Sequence, residues 1–255
     1  MLRAVLFDLD DTLFDHESCA RDALLAVHQS SERLRSVTFA EFERLHTVLL
    51  EELHQRVMSG ALDIDAARIE RFARLFEAAG ATDCSPEEGA RVYRECYIRT
   101  RRAIDGAAAL LSALKPRVKI GVVSNNLLAE QQEKMRQCGL DEFVDALIVS
   151  EKVGVVKPDP LIFRVALDQL AVSKEDAVMV GDSWAADVEG ARAAGIPVVW
   201  FNRNGRPSPD PNAGVPELRA FEPVSAAIDA IEPLPYRAAG TEVGWTWRQV
   251  SRAAG

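Results

Sequence analysis

The sequence feature that most constrains the fold is a short apolar run, residues 4–7, that ends in three carboxylates at Asp8, Asp10 and Asp11. An apolar run of this length, followed by turn residues, predicts a strand buried on both faces, as in a parallel sheet. Ligands of open α/β sheets bind outside the carboxyl ends of such strands, where Asp8 and Asp10 would lie. Neighbouring carboxylates at such a strand end repel each other and lose hydration unless a cation neutralises them. The segment therefore predicts a charged site at one edge of an α/β sheet.

Later segments also place polar side chains at or beside the ends of predicted elements. These side chains belong to Ser124, Asn125, Lys157, Asp182 and Asp187. The preceding strands are predicted over 118–123 and 177–180. Lys157 stands before a predicted helix in which Asp159 is the N-cap and Pro160 the first helical residue. The combination of several such groups in one chain strengthens the prediction of a site.

Apolar strand runs alternate with helical segments from residue 106 to 232, which predicts a parallel sheet with right-handed crossovers. Five strands are expected, over residues 4–7, 118–123, 146–149, 177–180 and 198–201. Helices are expected between them, including one over 185–194, and a last helix over 224–231. Residues 203–216 contain four prolines and two glycines and are predicted to form a loop.

The segment 15–105 has a different pattern, because its apolar residues recur at helical spacing and no buried-strand run occurs. Ser85 and Glu88 have the spacing of a capping box. We predict a separate module of four or five helices between two parts of a core, residues 1–14 and 106–232, with hinges near 14–15 and 105–106. Residues 233–255, in which Val243, Trp245 and Trp247 alternate, have no predicted role beyond a strand or loop on the core.

The composition is ordinary for a globular protein and argues against several classes of binding protein. A length of 255 residues suits one large α/β domain or a core with a smaller insertion, and a net charge of −9 argues against a general binder of nucleic acid or anionic membranes. The four cysteines form no C-x-x-C pair, so reduced thiols are expected and a zinc site is not. No apolar stretch reaches the roughly 18 residues of a membrane span. We expect a cytoplasmic enzyme, monomeric or homodimeric, with a small-molecule substrate.

The polar groups together suit phosphoryl transfer to water. A carboxylate can attack as a nucleophile, and a second one can serve as general acid and base if its neighbours raise its pKa. Asp8 and Asp182 would form an oxygen site suited to Mg²⁺. Ser124, the adjacent backbone amides and Lys157 would hold an anionic group.

The chain resembles the haloacid dehalogenase-like hydrolases. The resemblance covers residues 3 to about 232 and depends on four motifs of this sequence: Asp8-Leu9-Asp10-Asp11-Thr12, Ser124 after a strand, Lys157 of Lys-Pro-Asp-Pro, and Gly181-Asp182 with Asp187. It implies a Rossmann-like parallel sheet of order 5-4-1-2-3. It also implies that residues 15–105 are an α-helical cap of the C1 type, a lid over the substrate.

By this resemblance, Asp8 is the nucleophile that becomes an aspartyl phosphate, and Asp10 is the general acid and base. Mg²⁺ would be held by Asp8, the main-chain carbonyl of Asp10 and Asp182, with Asp187 behind these ligands or acting through water. The phosphate-binding residues would be Leu9, Ser124, Asn125 and Lys157. The implied activity is Mg²⁺-dependent hydrolysis of a small phosphorylated metabolite, such as a nucleoside monophosphate or a sugar phosphate.

Three alternatives stay open at this point: a 2-haloacid dehalogenase, a phosphomutase and a non-catalytic binding relative. Dehalogenases of this family need no Mg²⁺ and lack an aspartate at the position of Asp10, so Asp10 and Asp182 argue against the first. The intact charged set argues against a binding relative. A phosphonatase is excluded because residues 15–105 contain no lysine for a Schiff base. Of the four histidines, His16 is expected to be the one near the first motif, with Glu17 beside it at the cleft edge.

Overall fold

The computed structural model describes residues 1–232, and its elements alternate between strands and helices outside one long helical stretch. The strands are β1 (Ala4–Phe7), β2 (Lys119–Ser124), β3 (Ala146–Val149), β4 (Ala177–Gly181), β5 (Val198–Phe201) and β6 (Glu217–Leu218). The helices are α1 (His16–Gln29), α2 (Phe39–Met58), α3 (Ile64–Ala78), α4 (Pro86–Thr100), α5 (Ala107–Leu114), α6 (Leu128–Gln137), α7 (Ser150–Val153), α8 (Pro160–Leu170), α9 (Glu189–Ala193) and α10 (Val224–Ile231).

All six strands form one parallel sheet of order β3-β2-β1-β4-β5-β6, with β1 in its interior. The α/β class with a parallel sheet is confirmed, and the predicted order of the first five strands is observed. β6 was not predicted, because two residues after a proline-rich loop carry no strand pattern. In register, Phe7 lies beside Val122 and Val180, so the chain leaves β1, β2 and β4 at one edge of the sheet.

The two faces of β1 pack into different hydrophobic clusters. Leu6 belongs to a cluster with Phe163 of α8, on one face of the sheet. Val5 and Phe7 belong to the other, which continues without interruption into the long helical stretch and includes Phe42 and Phe72. This continuity means that burial of apolar side chains connects the sheet directly to the helices beside it.

Helices α1 to α4, hereafter the helical region, pack on one another, α1 against α4, α2 against α3, and α3 against α4. Each begins at a polar N-cap whose side chain accepts a backbone hydrogen bond, a contact that contributes about 1 kcal/mol. Only half of the expected capping box forms. Ser85 Oγ accepts from the Glu88 N–H at 3.2 Å, while the Glu88 carboxylate accepts from Arg91.

The chain enters and leaves the helical region at one place. The Asp15 N–H donates to the Arg102 carbonyl at 3.1 Å, and the Ile104 N–H donates to the Leu13 carbonyl at 2.9 Å. The entering and leaving segments are thus hydrogen-bonded to each other, next to the carboxyl end of β1.

Two expectations concern features beyond these elements. The four cysteines are free thiols, and none of the helices within residues 1–232 is long and apolar enough to cross a membrane. The prediction of a strand or loop over 233–255 lies outside the described residues.

Candidate active site

The carboxyl end of β1 places Asp8 beside the ammonium group of Lys157. Lys157 Nζ donates to Asp8 Oδ1 at 2.5 Å and to Asp187 Oδ1 at 2.7 Å. Its third hydrogen bond, of 2.8 Å, goes to the Val123 carbonyl. Burial alone would lower the pKa of Lys157, but the charges of Asp187 and Asp8 hold it above its usual value. Lys157 is therefore a buried positive charge with all three donors used.

Asp182 and Asp187 reach the same point from the end of β4. One carboxylate oxygen from each of Asp8, Asp182 and Asp187 lies within 4.8 Å of the other two. A wide turn of π-helical geometry over Trp184–Val188 carries Asp187, in place of the regular helix predicted from residue 185. Gly181 permits this approach, because a Cβ there would lie 2.4 Å from the Asp187 carboxyl carbon. Asp187 thus stands in direct contact with the cluster.

With all groups ionised, three carboxylates and one ammonium leave this cluster two positive charges short. Burial raises the pKa of Asp8, and the charges of Asp187 and Asp182 raise it further against the opposing charge of Lys157. Burial, followed by the charges of Asp187 and Asp11, raises the pKa of Asp182 to about 7. Carboxylate oxygens with this deficit fit a divalent hard cation, and Mg²⁺ is the cation that such sites bind with few carboxylates.

Asn125 fixes the backbone of Lys157 from the end of β2. Its Oδ1 accepts from the Lys157 N–H at 2.7 Å, and its Nδ2 donates to the Lys157 carbonyl at 3.0 Å. Lys157 precedes α8, which begins at Pro160 after the N-cap Asp159, as predicted. The side chain of Asn125 is thus occupied in orienting the lysine, while the backbone N–H of Asn125 is the group predicted to bind the phosphate.

Three potential donors for an anion lie at the ends of β1 and β2. Ser124 is the buried last residue of β2, and its Oγ accepts from Gln131 Nε2 at 2.6 Å, which leaves the hydroxyl proton available. Within residues 1–232, neither the Leu9 N–H nor the Asn125 N–H donates to a protein acceptor. Unpaired backbone N–H groups beside a hydroxyl and a lysine form a site that favours negative charge.

Asp10 has an environment unlike that of Asp8, two positions away. Its Oδ1 accepts from Lys134 Nζ at 2.6 Å, and its Oδ2 accepts from Gln131 Nε2 at 2.9 Å and Asn126 Nδ2 at 3.2 Å. Burial is the largest single effect and opposes ionisation here, but the charge of Lys134 and the hydrogen bonds from Lys134 and Gln131 act together with the charge of His16, and the pKa of Asp10 falls well below its usual range. The neighbours of the general acid and base were expected from the sequence to raise its pKa, but the neighbours of Asp10 lower it. The Asp10 carboxylate is held apart from the carboxylate cluster.

Several of these partners are absent from the sequence predictions. Gln131 and Lys134 are both buried and lie three residues apart on one face of α6, and this spacing was the only available signal. Thr12 belongs to the first motif but had no assigned role. Its Oγ1 accepts from the Asp182 N–H at 3.1 Å and so ties the loop after β1 to the end of β4.

The helical region contributes two histidines near these groups. His16 Nδ1 lies 2.7 Å from the Tyr97 hydroxyl, and burial lowers the pKa of His16 to about 4. His54 of α2 donates from Nε2 to the Asn125 carbonyl at 3.3 Å. His16 was expected near the first motif. His54, far from any motif in sequence, was not.

Helix α6 also connects to the helical region through Glu130. Its carboxylate accepts hydrogen bonds from three arginines on or just after α3 and α4: Arg68, Arg94 and Arg101. Burial raises the pKa of Glu130, but these arginines, Arg94 foremost, lower it overall. Helix α6 therefore contacts Asp10 through Gln131 and Lys134, and it contacts the arginines of the helical region through Glu130.

Comparison with known proteins places this geometry in context. The sequence model of the haloacid dehalogenase-like hydrolases matches residues 2–195. The phosphoserine phosphatase of Thermus thermophilus is 32% identical over 238 residues, which cover 86% of this chain and 95% of that protein. The human N-acylneuraminate-9-phosphatase is 26% identical and covers 89% of this chain and 95% of its own length.

A solved structure with the same fold is that of YfnB from Bacillus subtilis, a hydrolase described bound to magnesium and with interdomain movement. It is 25% identical, superposes with a TM-score of 0.69, and covers 89% of this chain and 99% of its own. Among curated relatives, the glyceraldehyde 3-phosphate phosphatase of Methanopyrus kandleri is 31% identical over 80% of this chain and 85% of its own length.

Proposed function

The chain belongs to the haloacid dehalogenase-like hydrolases as a phosphoric monoester hydrolase, and we propose that Asp8 is its nucleophile and Mg²⁺ its metal. The observation that carries the proposal is the cluster of buried Asp8, Asp187 and Lys157 with partly exposed Asp182 at the carboxyl end of β1. Asp8 attacks phosphorus, the ester oxygen leaves, and water then releases phosphate from the aspartyl phosphate.

The metal would be held by Asp8, Asp182 and the main-chain carbonyl of Asp10, with Asp187 adjacent. When bound, Mg²⁺ supplies positive charge to the transferring phosphoryl oxygens. The two-charge deficit of the cluster supports this assignment, as does the magnesium-bound relative. Lys157 holds the Asp8 carboxylate in one orientation and adds a fixed positive charge.

Phosphate would bind to the Ser124 hydroxyl, the N–H groups of Leu9 and Asn125, and the charge of Lys157. Asp10 would protonate the leaving oxygen and later deprotonate water. Its lowered pKa in the ligand-free state keeps the Asp10 carboxylate ionised, which is the form that the second role requires. For the first role, the negative charge of a bound phosphate nearby raises the pKa of Asp10 against the effect of Lys134.

Residues 15–105 would act as the cap, and residues 1–14 with 106–232 as the catalytic core. Contacts of His54 with Asn125 and of Glu130 with three arginines support a closed arrangement over the phosphate-binding groups. Such a lid excludes water during transfer and must open for exchange of substrate and product. The interdomain movement described for YfnB supports motion about the predicted hinges near 14–15 and 105–106, which lie at or next to the hydrogen-bonded segments 13–15 and 102–104.

The substrate would be a small phosphorylated metabolite. The relatives act on phosphoserine, N-acylneuraminate 9-phosphate and glyceraldehyde 3-phosphate, which share a phosphate monoester on a small polar molecule. These compounds are chemically diverse, so they support the substrate class and no single member of it.

The test is release of inorganic phosphate from p-nitrophenyl phosphate by the purified chain, with and without Mg²⁺. We expect hydrolysis with Mg²⁺ and its loss in excess EDTA. A parallel incubation with 2-chloropropionate, assayed for chloride, serves as the control. Chloride release in EDTA without phosphatase activity would overturn the proposal.

A further inference from the structure

The helical region contains a buried arginine without a counter-ion. Arg71 lies on α3 with 7% of its surface exposed, and no carboxylate of residues 1–232 forms an ion pair with it. Its Nε is wholly buried and has no hydrogen-bond partner. Arg101, buried to a similar extent, instead has Glu130 at 3.1 Å and Glu133 at 3.2 Å. Among the arginines of residues 1–232 whose side chains are buried, Arg71 is therefore the one without a carboxylate partner, although the Nε of Arg101 also has no hydrogen-bond partner.

Aromatic rings form the walls around this guanidinium. Its central carbon lies 4.6 Å from the centre of the Tyr93 ring and 5.1 Å from that of Phe72. His46 packs against the same two rings, and its buried Nε2 also lacks a partner. Cation–π contacts offset part of the desolvation of a cation, but they leave its N–H donors unsatisfied.

A continuous row of side chains leads from Arg71 to His16, whose charge interacts with that of Asp10. Tyr93 stacks on Tyr97 with ring centres 6.0 Å apart, and the Tyr97 hydroxyl lies 2.7 Å from His16. The charges of Asp10 and Arg71 both act on the pKa of His16, the first raising it and the second lowering it. Through Tyr93 and Tyr97, Arg71 is thus linked to His16, a residue of the helical region whose charge interacts with Asp10.

An ionised guanidinium buried without an anion is costly, and arginine does not escape that cost by losing its proton at neutral pH. The cost is removed if a ligand brings the anion. The phosphoryl group has its own donors at Leu9, Ser124, Asn125 and Lys157, so the anion at Arg71 is a different group. Burial holds the nearby His16 and His46 in their neutral forms, which leaves one positive charge to balance.

We propose that Arg71 binds a carboxylate of the substrate, so that the chain acts on phosphate monoesters that carry a carboxylate away from the phosphate. This inference rests on the proposed phosphatase function. A carboxylate matches the single charge of Arg71 and its planar fork of donors, whereas a second phosphate would leave about one negative charge unbalanced.

The test compares substrates that differ by one carboxylate: O-phospho-L-serine with O-phosphoethanolamine, and 3-phosphoglycerate with glycerol 3-phosphate. We expect a higher kcat/KM for the carboxylate member of each pair. Arg71→Met should lower kcat/KM for these members by about 100-fold and abolish the preference. The loss on p-nitrophenyl phosphate should be at least about tenfold smaller.

Arg74→Met is the matched control, because Arg74 lies one turn further along α3, pairs with Glu52 and is more exposed. It should keep the preference. Arg71→Lys guards against misfolding of the methionine variant, since it retains the charge without the fork. An intermediate loss on the carboxylate substrates supports the proposal, and an unchanged preference in both Arg71 variants overturns it.

The two proposals fail separately. If the wild type does not hydrolyse p-nitrophenyl phosphate, the phosphatase function itself is wrong. If it hydrolyses p-nitrophenyl phosphate but favours a bisphosphate such as fructose 1,6-bisphosphate over both carboxylate substrates, only the assignment of Arg71 is overturned.

Discussion

The sheet edge and the helical region differ in whether a buried cation is paired with carboxylates. At the sheet edge, Lys157 contacts two carboxylates and a carbonyl, so that every donor has a protein partner. In the helical region, Arg71 is buried to a similar degree and has aromatic rings around it but no anion from residues 1–232. Lys157 has its anionic partners within the protein, whereas Arg71 requires an anion from a bound ligand.

This difference matches the two proposed tasks: the sheet edge carries out the reaction, and the helical region recognises the substrate. A reaction common to all substrates requires groups fixed in advance, because preorganised charges do not have to be rearranged at the transition state. Recognition of one substrate benefits from a group whose burial is costly until the correct ligand arrives, since molecules lacking the matching group leave it unpaired. Variants of the sheet edge should therefore affect all substrates alike, and variants of the helical region should act selectively.

The largest effect is expected from Asp8→Asn, which removes the proposed nucleophile. Turnover should fall by roughly 10³-fold or more on every phosphate ester, because an amide cannot form the acyl phosphate. The measurement is kcat with p-nitrophenyl phosphate and with both members of a carboxylate pair, together with phosphorylation of the protein detected by mass spectrometry.

Asp11→Asn is the matched control, because Asp11 lies in the same loop at a positive φ of 63°, a conformation that asparagine tolerates. It should retain most of the activity. Substantial hydrolysis by Asp8→Asn, or a loss confined to one class of substrate, would contradict the separation of chemistry from recognition.

A smaller effect is expected from pH, acting through Asp182. Its pKa of about 7 means that Asp182 is largely protonated below that pH and must lose its proton to bind a cation. The Kd for Mg²⁺ should therefore rise by about tenfold for each pH unit below 7 and level off above it.

The same raised pKa predicts how stability changes. For a carboxyl group whose folded pKa exceeds its unfolded value, the stabilisation is complete below pH ~4 and is lost as pH rises to ~7. The rise in Tm on adding Mg²⁺ should consequently be larger at pH 8 than at pH 6. Asp182→Asn should flatten that difference, and an equal Mg²⁺ effect at both pH values in the wild type would contradict the prediction.

The smallest effect is expected from Glu130→Gln, which weakens the connection between α6 and the helical region. The amide retains one hydrogen bond but loses its charge, so the free energy of unfolding should fall by about 1–3 kcal/mol. Because closure is affected without change at Arg71, KM should rise a few-fold for both members of each substrate pair. Glu133→Gln, more exposed on the same helix, is the control and should change both quantities less.

The parts of the site that could be predicted from sequence are those that local chemistry determines. Apolar runs gave β1 and β4, and the Asp159-Pro160 pair gave the start of α8. The partners of Asp10 could not be predicted in this way, because α6 is mostly polar and only tertiary packing decides which of its faces meets the sheet edge. The turn that carries Asp187 was missed for a related reason, since its residues suit a regular helix equally well.

Arg71 was invisible for a different reason. In the sequence it is one of several arginines on an amphipathic helix, and arginines of that kind are usually solvated. Only the packed structure shows that Arg68 and Arg74 have carboxylate partners while Arg71 between them has none within residues 1–232.

Because segments 13–15 and 102–104 are paired, the helical region between them could be replaced by another insertion without changing the sheet. The chain leaves and re-enters the sheet through two segments that are hydrogen-bonded to each other. The strands are therefore connected to the same two segments whatever sequence lies between them. Loop-closure entropy grows only slowly with the length of such an insertion, so a longer, shorter or unrelated module could be grafted at this junction at modest cost. In a lineage, the proposed cap could thus diverge, or be exchanged, while the sheet edge proposed to perform the chemistry stayed as it was.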